Sequence, residues 1–172
     1  EVNSALVIVD AVAGEVERAI VHGQEIGHML VITPDESRAF VSNIGSGSVV
    51  AVDLATGEVL KTIATGAGAE GIDVSPDGSE VWVGNRGADS ITVLDARTLE
   101  LKTTVACGVF PIRVKFTPDG GRVLVSCAMS GEVAVFDPRT REEVSRVAMT
   151  DAAAVDRSGR MFQMGGPVPI GI

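Results

Sequence analysis

The stretch Ser75-Pro76-Asp77-Gly78-Ser79-Glu80-Val81-Trp82-Val83-Gly84-Asn85 decides the fold. Pro presets φ for the first turn position and Gly accepts the unusual φ that a tight reversal needs, so residues 75–78 form a hairpin turn. The apolar run that follows is rich in β-branched and aromatic residues and reads as a strand. Ile72-Asp73-Val74 before the turn reads as a short alternating strand. Beyond the Arg86-Gly87-Ala88-Asp89 loop, Ser90 to Asp95 is a third strand. Asp95-Ala96-Arg97-Thr98 turns the chain again, and Leu99 to Val105 is a fourth. Four short strands joined by hairpin-length loops make one antiparallel unit.

The unit repeats. Pro34, Pro76 and Pro118 stand 42 residues apart, and so do Asp53, Asp95 and Asp137. Asn43 and Asn85 keep the same step, with Cys127 in the third place; Gly66 and Gly108 also repeat. Asp10 lies one residue out of register. The aspartates of the second turn are placed to accept hydrogen bonds from backbone N–H groups two or three residues on. A four-stranded antiparallel unit with this period predicts an all-β fold, a β-propeller with about four blades in this chain. Face-to-face stacking of blades explains strands that are apolar on both sides, such as Ser48-Val49-Val50-Ala51-Val52. No segment carries a helical apolar stripe, which excludes a βαβ fold. The expected boundaries are a partial blade over 1–23, blades over 24–65, 66–107 and 108–149, and a degenerate or partial blade over 150–172.

These residues resemble the YVTN-type β-propeller repeat family. Val81-Trp82-Val83-Gly84-Asn85 and Ala39-Phe40-Val41-Ser42-Asn43 fill the slot of its Tyr-Val-Thr-Asn strand. Gly108-Val109-Phe110-Pro111 and Gly166-Pro167-Val168-Pro169-Ile170-Gly171 match its blade-opening pattern. The resemblance implies a surface-layer, cell-surface or periplasmic protein, hence an extracytoplasmic location. The Asp-x-x-Thr-Gly-Glu turn is also similar to quinoprotein repeats, but Lys61 and Lys102 stand where those place a Trp.

Bulk properties narrow the function. The 172 residues carry a net charge of −9, which repels phosphate backbones and argues against a nucleic-acid partner. The densest basic stretch, Arg139 to Arg146, is interleaved with Glu142 and Glu143 and reads as a solvated strand edge. No apolar run approaches the roughly 20 residues of a membrane-spanning helix. Cys107 and Cys127 read as two small buried hydrophobes, with a single disulfide between neighbouring strands as the other reading.

The ends allow two readings. Asp151 to Asp156 and Arg160 to Met164 read as two further strands. They would either pair with the N-terminal strands or belong to a larger ring of about six to eight blades. The larger ring is preferred, because the chain stops inside a blade-opening motif. Unpaired strand edges would then favour self-association.

No nucleophile elbow, Cys/His pair or phosphate-cradling loop is present, so no catalytic residue is assigned. Propeller ligands bind where the innermost strands begin, and the positions just before those strands are His28, Glu70 and Ile112. His28 and Glu70 on adjacent blades are weak metal-ligand candidates; ordinary polar rim residues are the alternative. Arg86, Asp89, Arg113 and Lys115 vary among otherwise matching columns, where repeat proteins graft specificity; Arg86 and Arg113 join His28 and Glu70 as ligand-binding candidates. His22 reads as a loop residue, and Trp82, in a column shared with Phe40 and Leu124, as core. No cofactor is required by the sequence. The expected function is a non-enzymatic binding or scaffold propeller taking a protein, glycan or small-molecule ligand. The alternatives are a lactonase-like or haem- or quinone-linked propeller enzyme, or a truncated or engineered set of blades.

Overall fold

The computed structural model describes residues 4–149. Among these residues, fourteen strands form one two-stranded and three four-stranded antiparallel sheets. The two-stranded sheet pairs β1 (Ala5–Asp10) with β2 (Glu15–Val21). The first blade holds β3 (Gly27–Ile32), β4 (Arg38–Asn43), β5 (Ser48–Asp53) and β6 (Val59–Ala64) in sequence order. The second holds β7 (Ala69–Val74), β8 (Glu80–Asn85), β9 (Ser90–Asp95) and β10 (Leu101–Ala106). The third holds β11 (Pro111–Phe116), β12 (Val123–Cys127), β13 (Glu132–Asp137) and β14 (Glu142–Ala148). The strands expected at 150–172 lie outside the described residues.

Period-two alternation assigns each side of a strand to a different seam. In β5, Val49 and Ala51 face the second blade, while Val50 and Val52 pack with Leu6 and Ile20 of the two-stranded sheet. In β8, Val81 and Val83 face the first blade and Trp82 faces the third. Trp82 is fully buried and meets the rings of Phe116 and Phe136 edge-on, at centroid distances of 5.9 and 6.2 Å. Such a site contributes about 3–5 kcal/mol against truncation to Ala. The outermost strand β14 is exposed throughout, and Arg146 pairs there with Glu132 and Glu143, which accounts for the mixed-charge stretch.

The two turns of the repeat have distinct hydrogen-bond designs. After the innermost strand, the hydroxyls of Thr33, Ser75 and Thr117 each donate to the Asp two residues on, at 2.6 Å. After the third strand, Asp10, Asp53, Asp95 and Asp137 accept backbone N–H groups from two or three residues ahead. The outer strand of the second blade starts at Leu101, later than the expected Leu99. Leu99 sits at φ 60° as the last turn residue, and its N–H bonds the Asp95 carbonyl.

Candidate functional site

Each innermost strand opens with a break in register: at Gly27/Met29 in β3, Ala69/Ile72 in β7 and Pro111/Arg113 in β11. His28, Glu70 and Ile112 are each the second residue of their strand rather than the residue before it. A bulge leaves a residue outside the ladder and re-aims its side chain. At Glu70 it turns a carboxylate toward the next blade.

Glu70 is only 6% exposed, and both its carboxylate oxygens are taken by arginines. Arg86, just beyond β8, donates from Nη1 to Oε2 at 2.6 Å; Arg113, on β11 of the next blade, donates from Nη1 to Oε1 at 3.2 Å. Arg113 also donates to the Ile112 carbonyl at 2.7 Å. The Arg86 guanidinium lies over the Phe110 ring, 5.2 Å from its centroid. Phe110, at φ 62°, is fixed by its N–H donating to the Asp89 carboxylate at 2.9 Å. The Glu70 carbonyl in turn accepts the Ser42 hydroxyl of the first blade at 2.6 Å. One buried carboxylate thus ties two blades together and fixes two cations.

Each guanidinium carries five N–H donors in a planar fork. Among the described residues, Arg86 spends its bonding on Glu70, and Arg113 on Glu70 and the Ile112 carbonyl. The Arg86 and Arg113 side chains stay about a third exposed, at 34% and 30%. The two guanidinium groups balance the Glu70 and Asp89 carboxylates and keep N–H donors beyond those that Glu70 takes. That arrangement suits a carboxylate or another oxyanion.

Three of the four residues picked from the sequence therefore converge. His28 does not: it is exposed and makes no hydrogen bond or ion pair with Glu70. Both Glu70 oxygens face guanidinium groups rather than His28. No cluster of three or more His, Cys, Asp or Glu side chains suited to a metal occurs among the described residues. Phe110 and Asp89, the latter in one of the variable columns, complete the site. Phe110 was visible only as part of the blade-opening motif.

At the other end of the strands, two grooves of about 520 and 670 Å³ lie between adjacent Pro-Asp turns, one lined by Asp77, Asp119 and Arg139, the other by Asp35, Asp77 and Arg97. They are the same groove one blade apart, so they follow from the repeat itself.

Radially stacked four-stranded blades, with a charged cluster where the innermost strands begin, define a β-propeller. The family profile described as "Lactonase, 7-bladed beta-propeller" matches residues 53–152, and the chain belongs to that family. Among solved structures, it is similar to one described as Kuenenia stuttgartiensis Hydrazine Synthase, with 29% identity and a TM-score of 0.72, over 76% of this chain and 38% of that one. It also resembles one described as Structure of U3-55K, with 18% identity and a TM-score of 0.67, over 76% of this chain and 42% of that one. The chain spans about two fifths of the length of these two propellers. No curated protein matches.

Proposed function

We propose that this chain is a non-enzymatic binding segment of a larger propeller ring, holding an acid-bearing ligand or a protein side chain through Arg86 and Arg113. The carrying observation is the double bridge from buried Glu70, which presets both guanidinium groups before any ligand arrives. Preorganised donors avoid the ordering cost that a flexible Arg would incur on binding. The YVTN-type blade columns support placing the protein outside the cytoplasm. The inner edge of β1 has no partner strand among the described residues, which supports association with further strands or chains.

The test is titration of the full-length protein with small carboxylates and acidic glycans. Saturable binding that weakens at least tenfold in Arg86→Ala and Arg113→Ala supports the reading. Equal binding by wild type and both variants removes it. Membership of the lactonase family favours a second reading, a lactone hydrolase. Proton release from simple lactones, followed with and without added divalent metal, decides between the two.

A further inference from the structure

Cys107 follows β10 in the second blade, and Cys127 ends β12 in the third. Their sulfurs lie 3.5 Å apart across the seam, and both are free thiols. We propose that they are a reversible redox pair whose disulfide staples the second blade to the third. A disulfide needs the sulfurs at about 2.05 Å, so the remaining approach is about 1.5 Å, within reach of small side-chain rotations. The backbone is already close: a Cβ at Gly108 would sit 2.9 Å from the Cys127 sulfur. Hydrogen bonding from Cys107 lowers the Cys127 thiol below its usual range, with the nearby Arg146 adding to the effect. Hydrogen bonding with Cys127, together with burial, raises Cys107.

Accessibility sets the order of events. Cys107 is partly exposed and Cys127 is buried. The more exposed Cys107 passes its proton to the adjacent Cys127 thiolate and attacks an external disulfide such as glutathione disulfide. The thiolate released takes that proton from Cys127 and leaves as one thiol, with a mixed disulfide on Cys107. The Cys127 thiolate then attacks the Cys107 sulfur and releases the second thiol. One external disulfide is reduced to two thiols while the protein dithiol loses two hydrogens. The staple would also pin the 107–110 segment that carries Phe110 beneath Arg86.

The full-length protein is equilibrated with excess glutathione disulfide, unfolded, and treated with iodoacetamide. The expected result is no alkylation at either cysteine and one peptide pair joined through Cys107 and Cys127, both reversed by dithiothreitol. A rise in Tm of roughly 5 °C on oxidation should accompany it, and should vanish in Cys107→Ser. Two alkylated cysteines after oxidation overturn the proposal. So does glutathione persisting on Cys107, because Cys127 would then have failed to resolve it.

Discussion

The Asp73 carboxylate reaches across a blade seam and accepts the backbone N–H of Phe116 at 2.8 Å. Asp73 is on the innermost strand of the second blade and Phe116 on that of the third. Its other oxygen pairs with Lys115 at 3.3 Å. Lys115 is largely exposed, so the ion pair contributes little, while the buried N–H depends on Asp73. Asp73→Ala should therefore destabilise by about 1–3 kcal/mol, and Asp73→Asn by much less, because it keeps an acceptor. Denaturant midpoints of the two variants check this; equal losses would assign the effect to the charge.

Gly71 tests the same seam sterically. A Cβ there would lie 2.8 Å from the Arg113 Cα and 2.8 Å from the Ile112 carbonyl oxygen, both backbone atoms of the next blade. Neither can rotate away. Gly71→Ala should force the blades apart and cost about 1–3 kcal/mol. The emission of Trp82, the only tryptophan in a chain without tyrosine, reports on the seam beside it. A red shift in the folded variant is the expected signature.

One position of the Pro-Asp turns takes a left-handed backbone in all three blades. Gly78 and Gly120 occupy it at φ 70° and 69°, but the first blade places Glu36 there at φ 59°. All three N–H groups make the same 2.8 Å bond to the carbonyl three residues back. The left-handed conformation costs a non-glycine residue roughly 1–2 kcal/mol, partly offset by the greater chain entropy of Gly when unfolded. Glu36→Gly should stabilise by about 0.5–1 kcal/mol, read as a higher midpoint with an unchanged m value.

Acid should act through the turn aspartates. The Arg139 side chain, then its backbone N–H, lower Asp137 to about 2. Asp10, Asp53 and Asp95 are lowered chiefly by backbone N–H groups of their turns. A carboxyl whose folded value lies below its unfolded value of about 3.9 stabilises the fold above that pH. Stability is therefore expected to hold above about pH 4 and to fall between about pH 4 and pH 2. Asp137→Asn should lower stability at neutral pH and flatten part of the acid limb, measured as midpoint against pH.

Much of this was legible along the chain because repetition multiplies each local signal. A single Pro-Asp turn is weak, whereas three at one spacing fix strand order, blade length and the hydrogen-bonding role of Asp53, Asp95 and Asp137. Arg86 and Arg113 stood out as departures from their columns. What joined them to Glu70 was a bulge, whose register break depends on the partner strand and leaves no mark in the sequence.

The sequence by itself determined that blades form and which residues face inward, because both follow from period-two patterning and turn chemistry within 42 residues. Only the tertiary structure decided which blades' side chains meet: Glu70 with Arg113, Asp73 with Phe116, Cys107 with Cys127. Those pairs are set by how two sheets twist and stack, a relation between segments that no local pattern encodes. For the same reason His28, picked by the same column logic as Glu70, stands apart in solvent.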